Sequence, residues 1–157
     1  MDKKSNYQFI ADVALGVIKE IAPQETPIFK AASEAYFKDP SKATSQNERK
    51  DQVLGFGIAE ASSFITPMAL AVTSEVVTFL ISEVKKSLEK ESLGVIDNAV
   101  KSLFKRFRPH EKKPAITLTP EQLKEVHKIA HAKALALKLS SARAEQLADS
   151  LVCELAI

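Results

Sequence analysis

Residues 64–81, FITPMALAVTSEVVTFLI, constrain the fold of this chain more than any other stretch. Read as a helix running from Thr66 to about Glu91, the segment carries Leu70, Val72, Val76, Val77, Phe79, Leu80, Ile81, Val84 and Leu88, apolar almost all round at first. A helix of that kind must be surrounded, either by other helices or by lipid. The 18 apolar-rich residues sit at the lower limit of a membrane span. Glu75 falls in their middle, however, and Thr66, Pro67, Thr73, Ser74 and Thr78 dilute the hydrophobicity. A lone carboxylate in hydrocarbon is costly, so the expected place of this helix is the centre of a folded core.

The rest of the chain supplies helices to surround it. Only 4 glycines occur in 157 residues, and alanine, leucine, lysine and glutamate dominate, which favours helices over turn-dense β architectures. A chain of this length buries a full core without disulfides or metals. With 45% hydrophobic and 27% charged residues it has the balance of a globular protein. The expectation is an all-α, multi-helix bundle with a C-terminal helical hairpin.

Helical spacing of Phe9, Ile10, Val13, Val17, Ile18 and Ile21 predicts a first helix from about Ser5 to Ile21, stopped by Pro23. Thr26-Pro27 reads as the cap and first turn of a second, with Ile28, Phe29, Ala32, Tyr36 and Phe37 inward and Asp39-Pro40 as its end. Ser41 to Asp51 is polar and reads as a solvated loop with at most one helical turn. Residues 52–63 read as a short helix weakened by Gly55 and Gly57, small residues that let another backbone approach. Thr66-Pro67 repeats the cap-plus-proline signature at the start of the central helix. Gly94 is expected to break the chain before a fifth helix that turns Ile96, Val100, Leu103, Phe104 and Phe107 to one face.

Arg108 to Leu118 reads as a basic, proline-containing linker between a bundle over 1–107 and a hairpin over 119–157. Thr119-Pro120-Glu121-Gln122 is a capping box with proline at the first helical position. Leu123, Val126, Ala130, Ala134 and Leu137 then line an inner face, Ser140-Ser141 turns the chain, and Leu147, Leu151, Val152 and Leu155 line the last helix. Two helices of this size cannot bury both stripes between themselves, so the hairpin has to dock on the bundle or on a partner.

Few residues carry a chemical signature. His127 and His131 are four apart on one helix, a spacing that suits two metal ligands, but HKIAH lacks the glutamate of HExxH. The other soft ligands, His110 and Cys153, fall in the linker and the last helix. With that incomplete set no metal or cofactor is expected, and the histidines read as flanking the buried stripe. Cys153, among Leu151, Val152 and Leu155, reads as a buried structural thiol. The carboxylate pairs Glu20 and Glu25, and Glu89 and Glu91, fall at helix ends and read as solvated. GFG at 55–57 lacks the lysine and third glycine of a phosphate loop. No catalytic constellation emerges, and enzyme activity is not expected.

The densest unusual signal is KSLFKRFRPHEKK at 101–113, six basic residues against one acidic. Lys101, Lys105, Arg106, Arg108, Lys112 and Lys113 are the candidate contacts to an anionic lipid surface, a polyanion or an acidic protein partner. A cationic helix end followed by a charged linker is also an ordinary solvated feature. The overall charge of +2 is too balanced for a whole-surface polyanion binder. The single cysteine and the polar start MDKKSNYQF lead to the expectation of a cytoplasmic protein, at most peripheral to a membrane.

The segments LTPEQLKEVHKIAHAKALALKLSSARAEQLADSLV and LGFGIAEASSFITPMALAVTSEVVTFL, about two fifths of the chain, resemble parts of small, uncharacterised helical proteins from bacteria. That resemblance implies a non-enzymatic helical protein serving as an accessory component of a larger system, and it assigns no residue a role. The leading functional expectation is a scaffold or adaptor acting through protein–protein contact or self-assembly. A conditionally membrane-active protein is the second, and nucleic-acid binding through 101–113 the third.

Overall fold

The computed structural model describes residues 3–45, 64–104 and 117–156, and these form an all-α fold with seven α-helices and no strand. The expected helix over 52–63 and most of the linker lie outside the described residues. So do Lys105, Arg106, Phe107, Arg108, Lys112 and Lys113.

Helix α1, Lys3–Ile21, ends just before Pro23, and a 3-10 turn over Pro23–Ile28 leads into α2, Phe29–Lys38. Thr26 therefore is not the N-cap of α2, a position held by Ile28, because Pro27 sits inside the 3-10 turn and the α-helix starts two residues beyond it. Asp39 ends α2 and caps α3, Pro40–Thr44, its side chain accepting a hydrogen bond from the Lys42 N–H at 3.2 Å. That short helix is the single turn the polar segment was expected to allow, although its Ala43 is buried rather than solvated.

Helix α4, Thr66–Ser87, is the central element as anticipated. Its Met68, Leu70, Val72, Val76, Val77, Leu80 and Ile81 are buried, and it packs against α1, α2, α3, α5 and the C-terminal hairpin. Glu75, its apparent polar flaw, points outward and lies 3.9 Å from the Lys133 ammonium. The start of α4 differs from expectation. Thr66 is the first helical residue rather than the cap, and its hydroxyl donates to Glu25 instead of accepting from the backbone. Glu25, read as solvated, is only 4% exposed.

Helix α5, Leu93–Leu103, is capped by Ser92, and Gly94 lies within its first turn rather than breaking the chain ahead of it. Its Phe104 neighbour stacks on Phe9 of α1 with ring centroids 4.7 Å apart. Helices α6, Pro120–Ala136, and α7, Ser141–Leu155, form the expected hairpin. Both halves of the capping box are made: Gln122 N–H donates to Thr119 Oγ1 at 3.1 Å, and Thr119 N–H to Gln122 Oε1 at 2.9 Å. Helix α6 ends through Lys138, whose φ of 67° lets Leu139 N–H reach the Ala134 carbonyl and Lys138 N–H the Leu135 carbonyl.

The hairpin docks on its own chain. Helix α6 lies against α4 and α7 against α1, with Val126, Ala130, Ala134, Ala144, Leu147, Ala148, Leu151 and Leu155 all buried in the shared core. Ala130 and Ala134 of α6 and Ala144 and Ala148 of α7 are fully buried. A hydrogen bond of 2.8 Å from the Ser150 hydroxyl to the Glu20 carboxylate ties α7 to α1.

Candidate functional site

The hairpin's periodicity builds a cluster that neither helix reveals alone. Helix α6 buries Val126, Ala130 and Ala134, so His127 and His131, each one position later, stand on the flank of the buried stripe. Helix α7 buries Ala144 and Ala148, which places Glu145 and Asp149 on its own flank in the same way. Antiparallel pairing brings the two flanks to one side.

His127 Nε2 lies 3.0 Å from Asp149 Oδ1 and 3.3 Å from Glu145 Oε1. The other Glu145 oxygen, Oε2, lies 3.4 Å from His131 Nε2. The two imidazoles are nearly parallel, 7° between planes with centroids 6.1 Å apart. Glu145 thus turns one oxygen to each ring. All four side chains touch solvent, the histidines about one-third exposed and the carboxylates more than half. Two imidazoles and two carboxyl groups are thus concentrated on one small patch. Such a set can staple the hairpin by hydrogen bonds, or it can hold a cation.

The histidine pair was legible in the sequence; its partners were not. Glu145 and Asp149 repeat the i, i+4 spacing of His127 and His131 on the far side of the Ser140 turn, and that matched spacing was the available signal.

The other candidates are dispersed. Lys101 is exposed on the last turn of α5, while the remaining five basic candidates lie outside the described residues. Cys153 is exposed, contrary to expectation, because α7 buries Leu151 and Leu155 and a residue two positions from each projects away from them. It does not join the cluster formed by His127, Glu145 and Asp149. Glu25 is the buried carboxylate that sequence reading missed, and among the described residues it accepts three hydrogen bonds from Ile65 and Thr66 at the start of α4.

Surface cavities of about 130 and 160 Å3 lie between Leu80, Val84, Leu103 and Leu118 and between Tyr36, Thr44, Ala71 and Lys133. Both are smaller than the ~300 Å3 at which small-molecule pockets begin. No protein-family model, curated protein or solved structure matches the chain.

Proposed function

We propose that this chain is a helical scaffold or adaptor, without enzymatic activity, that acts through protein–protein contact or self-assembly as an accessory component of a larger bacterial system. The hairpin's inner face is spent on its own bundle, so the contact surface has to lie elsewhere. The observation that supports the reading is the first turn of α5, where Leu93 is 79% exposed and Val95 44%. Full burial of a leucine is worth ~1.5–3 kcal/mol, so a partner covering this turn gains from it. The same helix leads through Lys101 into the basic segment, which favours a partner of acidic character. On this reading the protein works in the cytoplasm or at the membrane periphery.

Light scattering of the full chain over a range of concentrations, together with an Leu93→Asp variant, tests the proposal. The expected result is a mass above the 17.2 kDa of a monomer, falling to the monomer in the variant, or a partner complex with the same dependence on Leu93. A strict monomer, with partner capture that Leu93→Asp leaves unchanged, overturns it.

A second reading, conditional membrane activity, draws on α4. Its 22 residues have a mean hydropathy of 1.4 over the most apolar window, long and apolar enough to cross a bilayer, although 61% of that window is buried in the bundle. Insertion requires the bundle to open and exchange protein contacts for lipid, with Lys85, Lys86 and Lys101 as the first contacts to anionic headgroups. Flotation with anionic liposomes at low salt tests it, and protein that stays at the bottom of the gradient rules it out.

A further inference from the structure

We infer that His127, Glu145 and Asp149 form a binding site for a divalent transition-metal ion of the zinc class, with His131 positioning Glu145. The spacing of the donor atoms carries the inference. Ligands bonded to a tetrahedral zinc at 2.0–2.1 Å stand about 3.3 Å from one another. His127 Nε2 has Asp149 Oδ1 at 3.0 Å and Glu145 Oε1 at 3.3 Å, and one donor atom from each of the three residues falls within 4.8 Å of the others.

Hydrogen bonding alone accounts poorly for this convergence. A neutral imidazole has one hydrogen on one nitrogen, yet two carboxylates from successive turns of α7 close on the same Nε2. Their mutual repulsion is relieved by a positive charge between them, supplied by a bound cation or by a protonated ring. The donor set of one imidazole nitrogen and two carboxylate oxygens suits zinc, cobalt or nickel better than magnesium or calcium, which prefer oxygen alone. His131, held at 3.4 Å from the second oxygen of Glu145, occupies the place of the outer partner that fixes a ligating carboxylate. With three protein ligands and the whole cluster open to solvent, a fourth position is left to water, so the ion exchanges freely with the medium.

The test is calorimetric titration of the full chain with Zn2+ at neutral pH, with Co2+ absorption in the visible as a geometric readout. One Zn2+ per chain is expected, with binding reversed by a chelator. His127→Ala and Asp149→Asn should each weaken binding at least about tenfold, and His131→Ala by about 10- to 100-fold. Cys153→Ser and His110→Ala should leave it unchanged. Because none of the altered side chains of the cluster is buried, far-UV circular dichroism should confirm that each variant stays folded, and Glu145→Gln serves as an independent ligand variant. Absence of saturable Zn2+ binding, or binding that survives both His127→Ala and Glu145→Gln, overturns the inference.

Discussion

The Glu25 carboxylate closes the N-terminus of a helix that begins 41 residues later. One oxygen accepts from the Ile65 N–H at 3.1 Å, and the other accepts from the Thr66 N–H at 2.9 Å and the Thr66 hydroxyl at 2.8 Å. The first turn of an α-helix leaves amide donors without partners, and the helix dipole there favours a negative charge. In this fold a residue of the 3-10 turn before α2 meets that need for the core helix.

Replacing Glu25 by alanine should therefore cost more than losing an ordinary cap. Three donors are stranded, and each unmet buried group costs about 1–3 kcal/mol. A destabilisation of at least about 3 kcal/mol is expected in urea unfolding. Glu25→Gln, which keeps the acceptor but loses the charge, should recover part of it. A Glu25→Ala variant within about 0.5 kcal/mol of the parent would show that the α4 terminus finds its partners elsewhere.

That contact also marks the boundary of what the sequence reveals. Elements whose signals are local were readable: the α1 stripe ending before Pro23, the Thr119 capping box and the apolar circumference of α4 all reappear in place. Thr66 and Thr26 carry the same Thr-Pro signal, yet neither caps its helix. For Thr66 the competing acceptor is Glu25, distant in sequence and invisible to local pattern. For Thr26 the backbone tightens into a 3-10 turn around Pro27. The His127 and Asp149 pairing was hidden for a related reason, since it depends on the register in which α6 and α7 pack. Cys153 was placed on the wrong face because its neighbours are apolar, although its phase relative to Leu151 and Leu155 turns it outward.

Thr73 offers a second test of how the core is satisfied. It is fully buried, and its hydroxyl oxygen has no hydrogen-bond partner among the described residues. Thr73→Val keeps the shape and removes the unmet polar group, so it should stabilise the fold by about 1 kcal/mol. A raised urea midpoint with unchanged slope is the expected reading. A lowered midpoint would mean that the hydroxyl is satisfied in solution.

The Tyr36 phenol gives the protein an alkaline limit. Burial raises its pKa above the ordinary 10.0, a hydrogen bond with the Ser74 side chain pulls it partly back, and the charge of Glu75 pushes it up again. In the unfolded chain the phenol ionises first, so above pH 10.0 the unfolded state binds fewer protons than the folded one. The associated stability is whole below that pH and is lost as pH rises through the folded value. Urea midpoints measured from neutral to strongly alkaline pH should fall more steeply for the parent than for Tyr36→Phe. Parallel profiles would show that the phenol does not contribute.

Lys138 holds the left-handed position that ends α6, at φ 67°. Leu139 N–H reaches Ala134 at 3.1 Å and Lys138 N–H reaches Leu135 at 2.9 Å, the pair of bonds by which a helix closes on a residue usually supplied as glycine. A side chain in this conformation costs about 1–2 kcal/mol, a strain glycine lacks. Glycine also gives the unfolded chain more freedom, which offsets part of the gain. Lys138→Gly should therefore stabilise the protein by about 0.5–1 kcal/mol, whereas Lys138→Val, branched at Cβ, should destabilise it. Thermal unfolding of the two variants beside the parent checks the order. If glycine came out no more stable than lysine, the lysine stem would have to recover the strain through contacts of its own, and removing it by Lys138→Asn would then lower stability too. Because glycine adopts the same left-handed turn and so preserves the hairpin register that aligns His127 with Asp149, Lys138→Gly should also leave Zn2+ binding unchanged.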